Sequence, residues 1–487
     1  VTPTKATVAR SGAWSVASVI GSEVLFLIVF IMISRILGPR DMGVVALAGV
    51  FAELLGLLAL LGIPQAVIQS SKYSELQANT AFWLVQASGI LCSLAAFFAA
   101  APIARLFGVA EVEDVLGVLA ALPFLVALGA IHEARLTRDF KFRSLTLRTL
   151  AANGMAGAVA LLMAMNGFGM WSLVAQRLVL SASFSLWSWL ASGWIPGIQL
   201  SLKEARSLVA FGRHVLVGQV AWPLHLRLYD VILGHVLGPT AVGWYRLAMR
   251  CFEFLVRCLS LPLVGISLPV LSRLTAMTTA FRQALCRQFK LAGLVALPMF
   301  CFAALFAHDL LIAVFGERWQ TSVTLFQILC AAGIPMVFER LGWTALTAIG
   351  QPAWAARINF LLLPFMALVA WYAAHYGLVV LAWTFVFRGL LVIPLIVYLL
   401  WKVQAIEFGL WVGQMGRIVY ATILVTLLAA AEQRLMIASL GLIPGMAVIA
   451  FSSVLAYVLL IRVLAPVQFQ EAMEVMALIR HGRLARQ

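Results

Sequence analysis

Apolar stretches of about twenty residues follow one another along almost the whole chain, each long enough to carry an α-helix across a bilayer. Fourteen can be delimited, at 14–36, 44–68, 80–103, 115–132, 149–166, 171–191, 212–236, 244–267, 290–313, 323–347, 358–375, 379–400, 416–432 and 441–462. Within lipid a backbone must satisfy its own hydrogen bonds, so only helices and closed barrels span. Barrel strands would alternate polar and apolar residues over segments of about ten, and the sequence has no such rhythm. The expected fold class is all-α, a polytopic helical membrane protein with about 14 transmembrane helices. With 63% hydrophobic and 11% charged residues, nothing is left over for a soluble domain.

The distribution of charge supports that number. With fourteen spans, 22 of the 34 lysines and arginines fall on one side of the membrane. Only Arg35, Arg40, Arg105, Arg318 and Arg434 fall on the other, and an odd number of spans would mix the two sets. The positive-inside rule then puts both termini in the cytoplasm. The run from Trp14 to Ile36 is too long for a cleaved signal and reads as a first span. The longest connections, near 132–148 and 192–211, lie on the basic side, and no outer loop is large enough for a catalytic domain. Phe469, Met473, Met476 and Ile479 recur at helical spacing in a basic tail, expected either to rest on anionic inner-leaflet lipids or to be a frayed end.

Seven arginines lie inside the spans: Arg177, Arg227, Arg246, Arg250, Arg257, Arg340 and Arg388. At roughly 2.5–3.5 kcal/mol each at mid-bilayer, they would together cost on the order of 20 kcal/mol if they faced lipid. They are therefore expected to line a hydrated, positively charged interior that accepts an anion. Guanidinium suits phosphate because its planar fork donates two hydrogen bonds and stays ionised. Arg246, Arg250, Glu253 and Arg257 follow i, i+4, i+7, i+11, which is one face of one helix. Arg227 stands three residues before Asp230, and Glu339 adjoins Arg340. Each arginine could instead tie helices together through carboxylates or carbonyls. Glu23 and Glu53 have no base within reach along their own helices. Each either carries a coupling proton or pairs with arginines across the bundle. The seven arginines are thus the candidate binding residues, and Glu23, Glu53, Asp230, Glu253 and Glu339 the coupling or charge-pairing ones.

An internal repeat organises the chain. Leu37-Gly38-Pro39 with Gly43 recurs 200 residues later as Leu237-Gly238-Pro239 with Gly243, and Glu53 recurs as Glu253. Phe107-Gly108 recurs as Phe315-Gly316 and Gly169 as Gly377, both at an offset of 208. Two six-helix lobes are expected, at 1–200 and 201–402, followed by two extra helices at 403–465 and the tail at 466–487. Six is even, so the lobes enter the membrane in the same direction, and a parallel repeat of this kind suits alternating access.

A net charge of +15 would suggest nucleic acid in a soluble protein. Here the excess follows membrane topology, so no nucleic-acid partner is expected. There is no Gly-x-x-x-x-Gly-Lys-Ser/Thr loop for ATP, and no His-Glu-x-x-His, Cys-x-x-Cys or Gly-x-Ser-x-Gly motif. The six cysteines lack metal-ligand spacing and read as small hydrophobes. No cofactor, metal or catalytic residue is expected. Transport would draw on a gradient, on downstream use of the cargo, or on a partner.

The Leu37-Gly38-Pro39-x-x-x-Gly43 turn resembles the polysaccharide transporter branch of the multidrug/oligosaccharidyl-lipid/polysaccharide exporter superfamily. Other stretches resemble it too: Arg138-Asp139-Phe140-Lys141-Phe142-Arg143, Gly167-Phe168-Gly169-Met170-Trp171-Ser172, Asp230 before Leu233-Gly234, Gly243-x-Tyr245 and Phe315-Gly316-x-x-Trp319. The resemblance implies a bacterial inner-membrane flippase for undecaprenyl-pyrophosphate-linked oligosaccharides, serving O-antigen, capsule or exopolysaccharide synthesis. It also implies membrane lipids as surroundings and polymerase or export proteins of the same pathway as partners. Of the candidate residues only Asp230 falls in a recurring family motif. Within the superfamily a lipid II flippase shares an arginine-rich cavity, whereas a multidrug or organic-cation antiporter should have an acidic or aromatic one. A membrane polymerase or ligase would need a large outer loop that this chain lacks.

Overall fold

A computed structural model describes residues 5–70, 73–274, 278–404, 409–466, 469–471 and 473–474 of the chain. Among them every regular element is helical. In chain order the helices are α1 (Lys5–Ile36), α2 (Pro39–Ala59), α3 (Ile63–Gln69), α4 (Glu75–Phe107), α5 (Glu111–Leu119), α6 (Leu122–Arg138), α7 (Phe142–Met165), α8 (Trp171–Ser192) and α9 (Leu202–Leu237). There follow α10 (Pro239–Arg273), α11 (Thr278–Leu305), α12 (Ala307–Phe315), α13 (Gln320–Ala348), α14 (Ala353–Ala374), α15 (Leu378–Gln404), α16 (Gly409–Leu440) and α17 (Leu442–Leu464).

Each expected span coincides with helix, but three are not continuous. The second breaks between α2 and α3, where Leu61 and Gly62 both take left-handed backbone with φ 51° and 67°. The fourth breaks before Pro123, which suits the first turn of a new helix because its missing N–H costs nothing there. The ninth starts earlier than expected, at Thr278, and yields to the short α12 after Leu305. Among the described residues ten segments are long and apolar enough to cross a membrane, and the chain is a multi-pass membrane protein. Helices α1, α8, α9 and α10 lie outside that set.

The two long basic connections are shorter than expected, because helix continues into them. Arg135 and Arg138 occupy the last turn of α6, where cations favour the negative helix end. Arg138 Nη1 also donates to the carbonyls of Val67, Ile68 and Ser70 at 3.0, 3.2 and 2.8 Å. Those are the carbonyls that the end of α3 would otherwise leave unpaired. The remaining loop, 193–201, lies along the start of α4. Trp83 Nε1 donates to the Gly197 carbonyl at 2.9 Å, and Gly197 N donates to Asn79 Oδ1 at 2.9 Å.

The chain divides into two compact units. The first comprises Val1–Arg246 with Asn359–Leu378. Here α2 packs against α4, α5, α6 and α9 and is sheathed from Met42 to Val50, a run of apolar residues on every side. Ile63, Val67, Phe82, Val85 and Ile131 form a core beside it. The second unit comprises Leu247–Ile358 with Val379–Gln487. In it α11 packs on α13 and α16, and α16 on α17. Phe469 joins Leu297, Ile418 and Ile461 in its core, and Arg287 pairs with Glu474 at 2.9 Å. The described part of the tail is therefore docked on α11, while the expected lipid-facing Met476 and Ile479 lie outside the described residues.

The repeated motif joins two helices both times but with different backbone: Gly38 is extended with φ −83°, whereas Gly238 takes φ 81°. Residues 37–39 and 237–239 each end one helix at a glycine and start the next at a proline. Gly108 and Gly316, with φ 65° and 95°, likewise each close a helix after a phenylalanine.

Candidate functional site

The first unit gathers charges from four helices. Glu53 on α2 accepts a hydrogen bond from Arg177 Nη1 of α8 at 2.8 Å. Its other oxygen meets Arg227 Nη2 of α9 at 2.5 Å. Arg227 Nη1 lies 3.6 Å from Asp230 Oδ2, and Asp230 Oδ1 lies 3.0 Å from Arg246 Nε at the start of α10. Of the two expected alternatives for Glu53, the structure has the second: it pairs across the bundle. The sequence-neighbour pair Arg227–Asp230 forms, but the shorter contact of Arg227 is to Glu53.

Two features that the sequence did not single out shape this cluster. Gly49, one turn before Glu53, faces Arg177: a Cβ there would stand 2.7 Å from Arg177 Cζ and 3.0 Å from Nη2. Only a residue without a side chain lets the guanidinium lie across α2 and reach Glu53. Tyr229 and Tyr245 are buried and stack with ring centroids 6.4 Å apart and planes 12° apart. Each immediately precedes one member of the Asp230–Arg246 pair, so the stack sets the register of α9 against the start of α10. Apart from Gly243-x-Tyr245 in the family motif, nothing in the sequence marks this role.

Three arginines face two acids here, leaving one positive charge in excess. Asp230 is 2% exposed, whereas the arginine side chains retain 22–27% and Glu53 35%. The cluster is thus reachable rather than sealed. Although Arg246 Nε lies at ion-pair distance from Asp230, neither that nitrogen nor the buried Arg246 Nη2 makes a well-aligned hydrogen bond. The pair is held by charge, and those two donors remain unspent.

In the second unit Glu253 stands between Arg250 at 3.8 Å and Arg257 at 3.5 Å, all on α10. These are long ion pairs, and Arg257 keeps 41% of its side chain exposed. Arg388 of α15 grips Glu339 of α13 with two hydrogen bonds of 3.1 and 2.9 Å, with side chains 2% and 5% exposed. Trp343 Nε1 donates to the same carboxylate at 3.1 Å. That pair is a buried fastening, unlike the open pairs around Glu253. Arg340, next to Glu339 on α13, is half-buried. Glu23 on α1 is not without a partner. The seven arginines outnumber Glu23, Glu53, Asp230, Glu253 and Glu339; the first unit holds three of each, and the second holds four arginines against two acids. Among the described residues no group of histidine, cysteine and acids could hold a metal ion.

The chain is similar to the succinoglycan biosynthesis transport protein ExoT of Rhizobium meliloti (strain 1021), 24% identical over 313 residues, 64% of this chain and 63% of that protein. It is also similar to the teichuronic acid biosynthesis protein TuaB of Bacillus subtilis (strain 168), 22% identical over 60% of this chain and 61% of that one. The match thus spans less than two thirds of either relative. In fold it resembles the lipid II flippase MurJ in an inward closed conformation, with a TM-score of 0.72 at 12% identity over 93% of this chain and 98% of that one. Residues 32–324, more than half of the chain, match the family described as polysaccharide biosynthesis protein, and the chain belongs to that family.

Proposed function

We propose that the chain is a flippase that moves undecaprenyl-pyrophosphate-linked oligosaccharide from the cytoplasmic to the periplasmic leaflet of a bacterial inner membrane by alternating access. It serves O-antigen, capsule or exopolysaccharide assembly, and is a transporter rather than an enzyme. Both termini are cytoplasmic, and polymerase or export proteins act on the delivered unit.

The observation that carries this reading is the surplus of guanidinium in reachable positions. Arg177, Arg227 and Arg246 are set against Glu53 and Asp230, and Arg250 and Arg257 against Glu253. Arginines already oriented by acids exchange one carboxylate contact for a phosphate contact at small net cost, which suits a cargo that must also leave. A pyrophosphate is the ligand such a surplus fits. An organic cation would meet net repulsion.

The test is transport of a fluorescent pyrophosphate-linked oligosaccharide in proteoliposomes. Replacing Arg250 or Arg257 with alanine should abolish it while membrane insertion is kept. Full activity of both variants, or no transport by the unaltered chain, refutes the reading.

A further inference from the structure

The connection between α8 and α9 carries the three most exposed large apolar side chains of the described residues: Ile198 at 87%, Leu202 at 84% and Ile195 at 82%. Leu200 adds a fourth at 65%. Four such side chains grouped within eight residues form an interaction surface, not the scatter of single apolar residues that any protein shows. By its position in the chain this segment is one of the basic connections outside the spans.

The segment is fastened along α4, itself one of the segments apolar enough to cross a membrane. Trp194 Nε1 donates to Glu75 Oε2 at 2.8 Å, at the charged start of that helix. Gly197 is bonded farther in: its N–H donates to Asn79 Oδ1 and its carbonyl accepts from Trp83 Nε1, both at 2.9 Å. Ser201 N donates to Thr80 Oγ1 at 3.2 Å. At a rise of about 1.5 Å per residue, Asn79 and Trp83 stand about 6 and 12 Å beyond Glu75 along α4. The headgroup layer on each side of a bilayer is about 5–8 Å deep. A loop that starts beside Glu75 and turns at Gly197 therefore reaches the boundary between headgroups and hydrocarbon.

Its local chemistry suits that depth. Asn79 and Thr80 are 6% and 1% exposed, so the loop covers polar groups that α4 would otherwise turn outward. Pro196 has no N–H to satisfy. Gly197 lets the backbone close on α4, since a Cβ there would stand 2.9 Å from Asn79 Nδ2. Exposed Leu186 and Leu190 of α8 carry the apolar surface from the span into the loop. Just beyond it, Lys203 and Arg206 are exposed within one stripe at the start of α9, and Glu204 falls off that stripe. Aliphatic side chains bordered by basic ones are the make-up of a segment lying in an anionic interface. A docking protein would have to reach this loop through the phosphate layer.

We propose that residues 195–202 are an interfacial anchor immersed in the leaflet on the basic side of the membrane. Acyl chains cover Ile195, Ile198, Leu200 and Leu202, and Lys203 and Arg206 hold the headgroup of an anionic phospholipid. This is independent of what the chain transports.

The test uses the full chain with its six native cysteines replaced, a bimane label at Ile198→Cys, and an equal mixture of phosphatidylcholine and phosphatidylglycerol. Bromination of the acyl chains should quench this label several-fold more than one at Asp139→Cys in the α6–α7 turn, and aqueous iodide several-fold less. Equal response of the two labels puts the loop in water, and a label that neither quencher reaches is covered by a second copy of the chain. Either result overturns the proposal. With bromine confined to one lipid, brominated phosphatidylglycerol should quench several-fold more than brominated phosphatidylcholine at the same dilution. Lys203→Gln with Arg206→Gln should bring the two to parity. No preference in the chain with both basic residues, or a preference that survives their replacement, overturns the headgroup assignment. A shielded loop in a chain that moves no pyrophosphate-linked lipid would refute the transport reading alone.

Discussion

Replacing Glu53 with glutamine keeps the shape of the side chain and removes the charge that Arg177 and Arg227 share. At about 3 Å and an effective dielectric near 20, each carboxylate–guanidinium contact is worth about 5 kcal/mol before desolvation. Glu53 keeps 35% of its side chain exposed, so solvent screens much of that. A net loss of about 2–3 kcal/mol in stability is expected, below the 3–5 kcal/mol typical of breaking a fully buried pair. The same change raises the local excess from one positive charge to two and frees donors on two guanidiniums. A pyrophosphate should then bind more tightly by about 1–2 kcal/mol, or about 5–30-fold. Thermal unfolding of the detergent-solubilised protein, titrated with geranyl pyrophosphate, measures both effects. The unfolding midpoint should fall without ligand, and the ligand-induced rise should begin at lower concentration. Transport should slow because release slows. Weaker or unchanged binding in a folded Glu53→Gln variant would refute the reasoning, since the arginines would then owe their ordering, and not merely their neutralisation, to this carboxylate.

Gly49→Ala should displace Arg177 from Glu53 with little loss of stability, because the flexible guanidinium can swing aside. Its effect on pyrophosphate binding should therefore be non-additive with Arg177→Gln in a double-mutant cycle. Arg388→Met should cost about 3–5 kcal/mol by leaving Glu339 buried and uncompensated, and Arg388→Met with Glu339→Leu should recover most of that in denaturant or thermal unfolding. Binding of geranyl pyrophosphate to the intact protein should weaken as salt is raised from about 0.05 to 0.5 M, since partly exposed arginines are screened over a Debye length that falls from about 14 to about 4 Å.

The spans were legible because the bilayer fixes helix length, a constraint that acts on composition alone. The breaks at 60–62 and 120–121 were not read, because Gly62 with Pro64 and Pro123 are their only marks inside runs that stay apolar throughout. Arg135 and Arg138 look like loop residues in sequence, yet helix continues through them, since Tyr73, Glu75, Trp194 and the carbonyls ending α3 supply partners. Among the charges, positions were readable and partners only along a single helix. Spacing gave Glu253 with Arg250 and Arg257, but Glu53 with Arg177 joins residues 124 apart in sequence. Glycines were the least legible. Gly43 and Gly243 were visible as a repeat, while their mutual contact is a property of backbones from distant segments.

The anchoring of α3 by Arg138 has a mechanical consequence. Seven residues are too few for a helix to persist by its own hydrogen bonds. With one nitrogen of α6 gathering three of its terminal carbonyls, and with its apolar face in the same core as Phe82 and Ile131, this stub belongs to α6 rather than to α2. The second transmembrane crossing is therefore two separately anchored pieces meeting at residues 60–62: the longer takes its place from α4, α5, α6 and α9, and the foot is fastened by the Arg138 guanidinium.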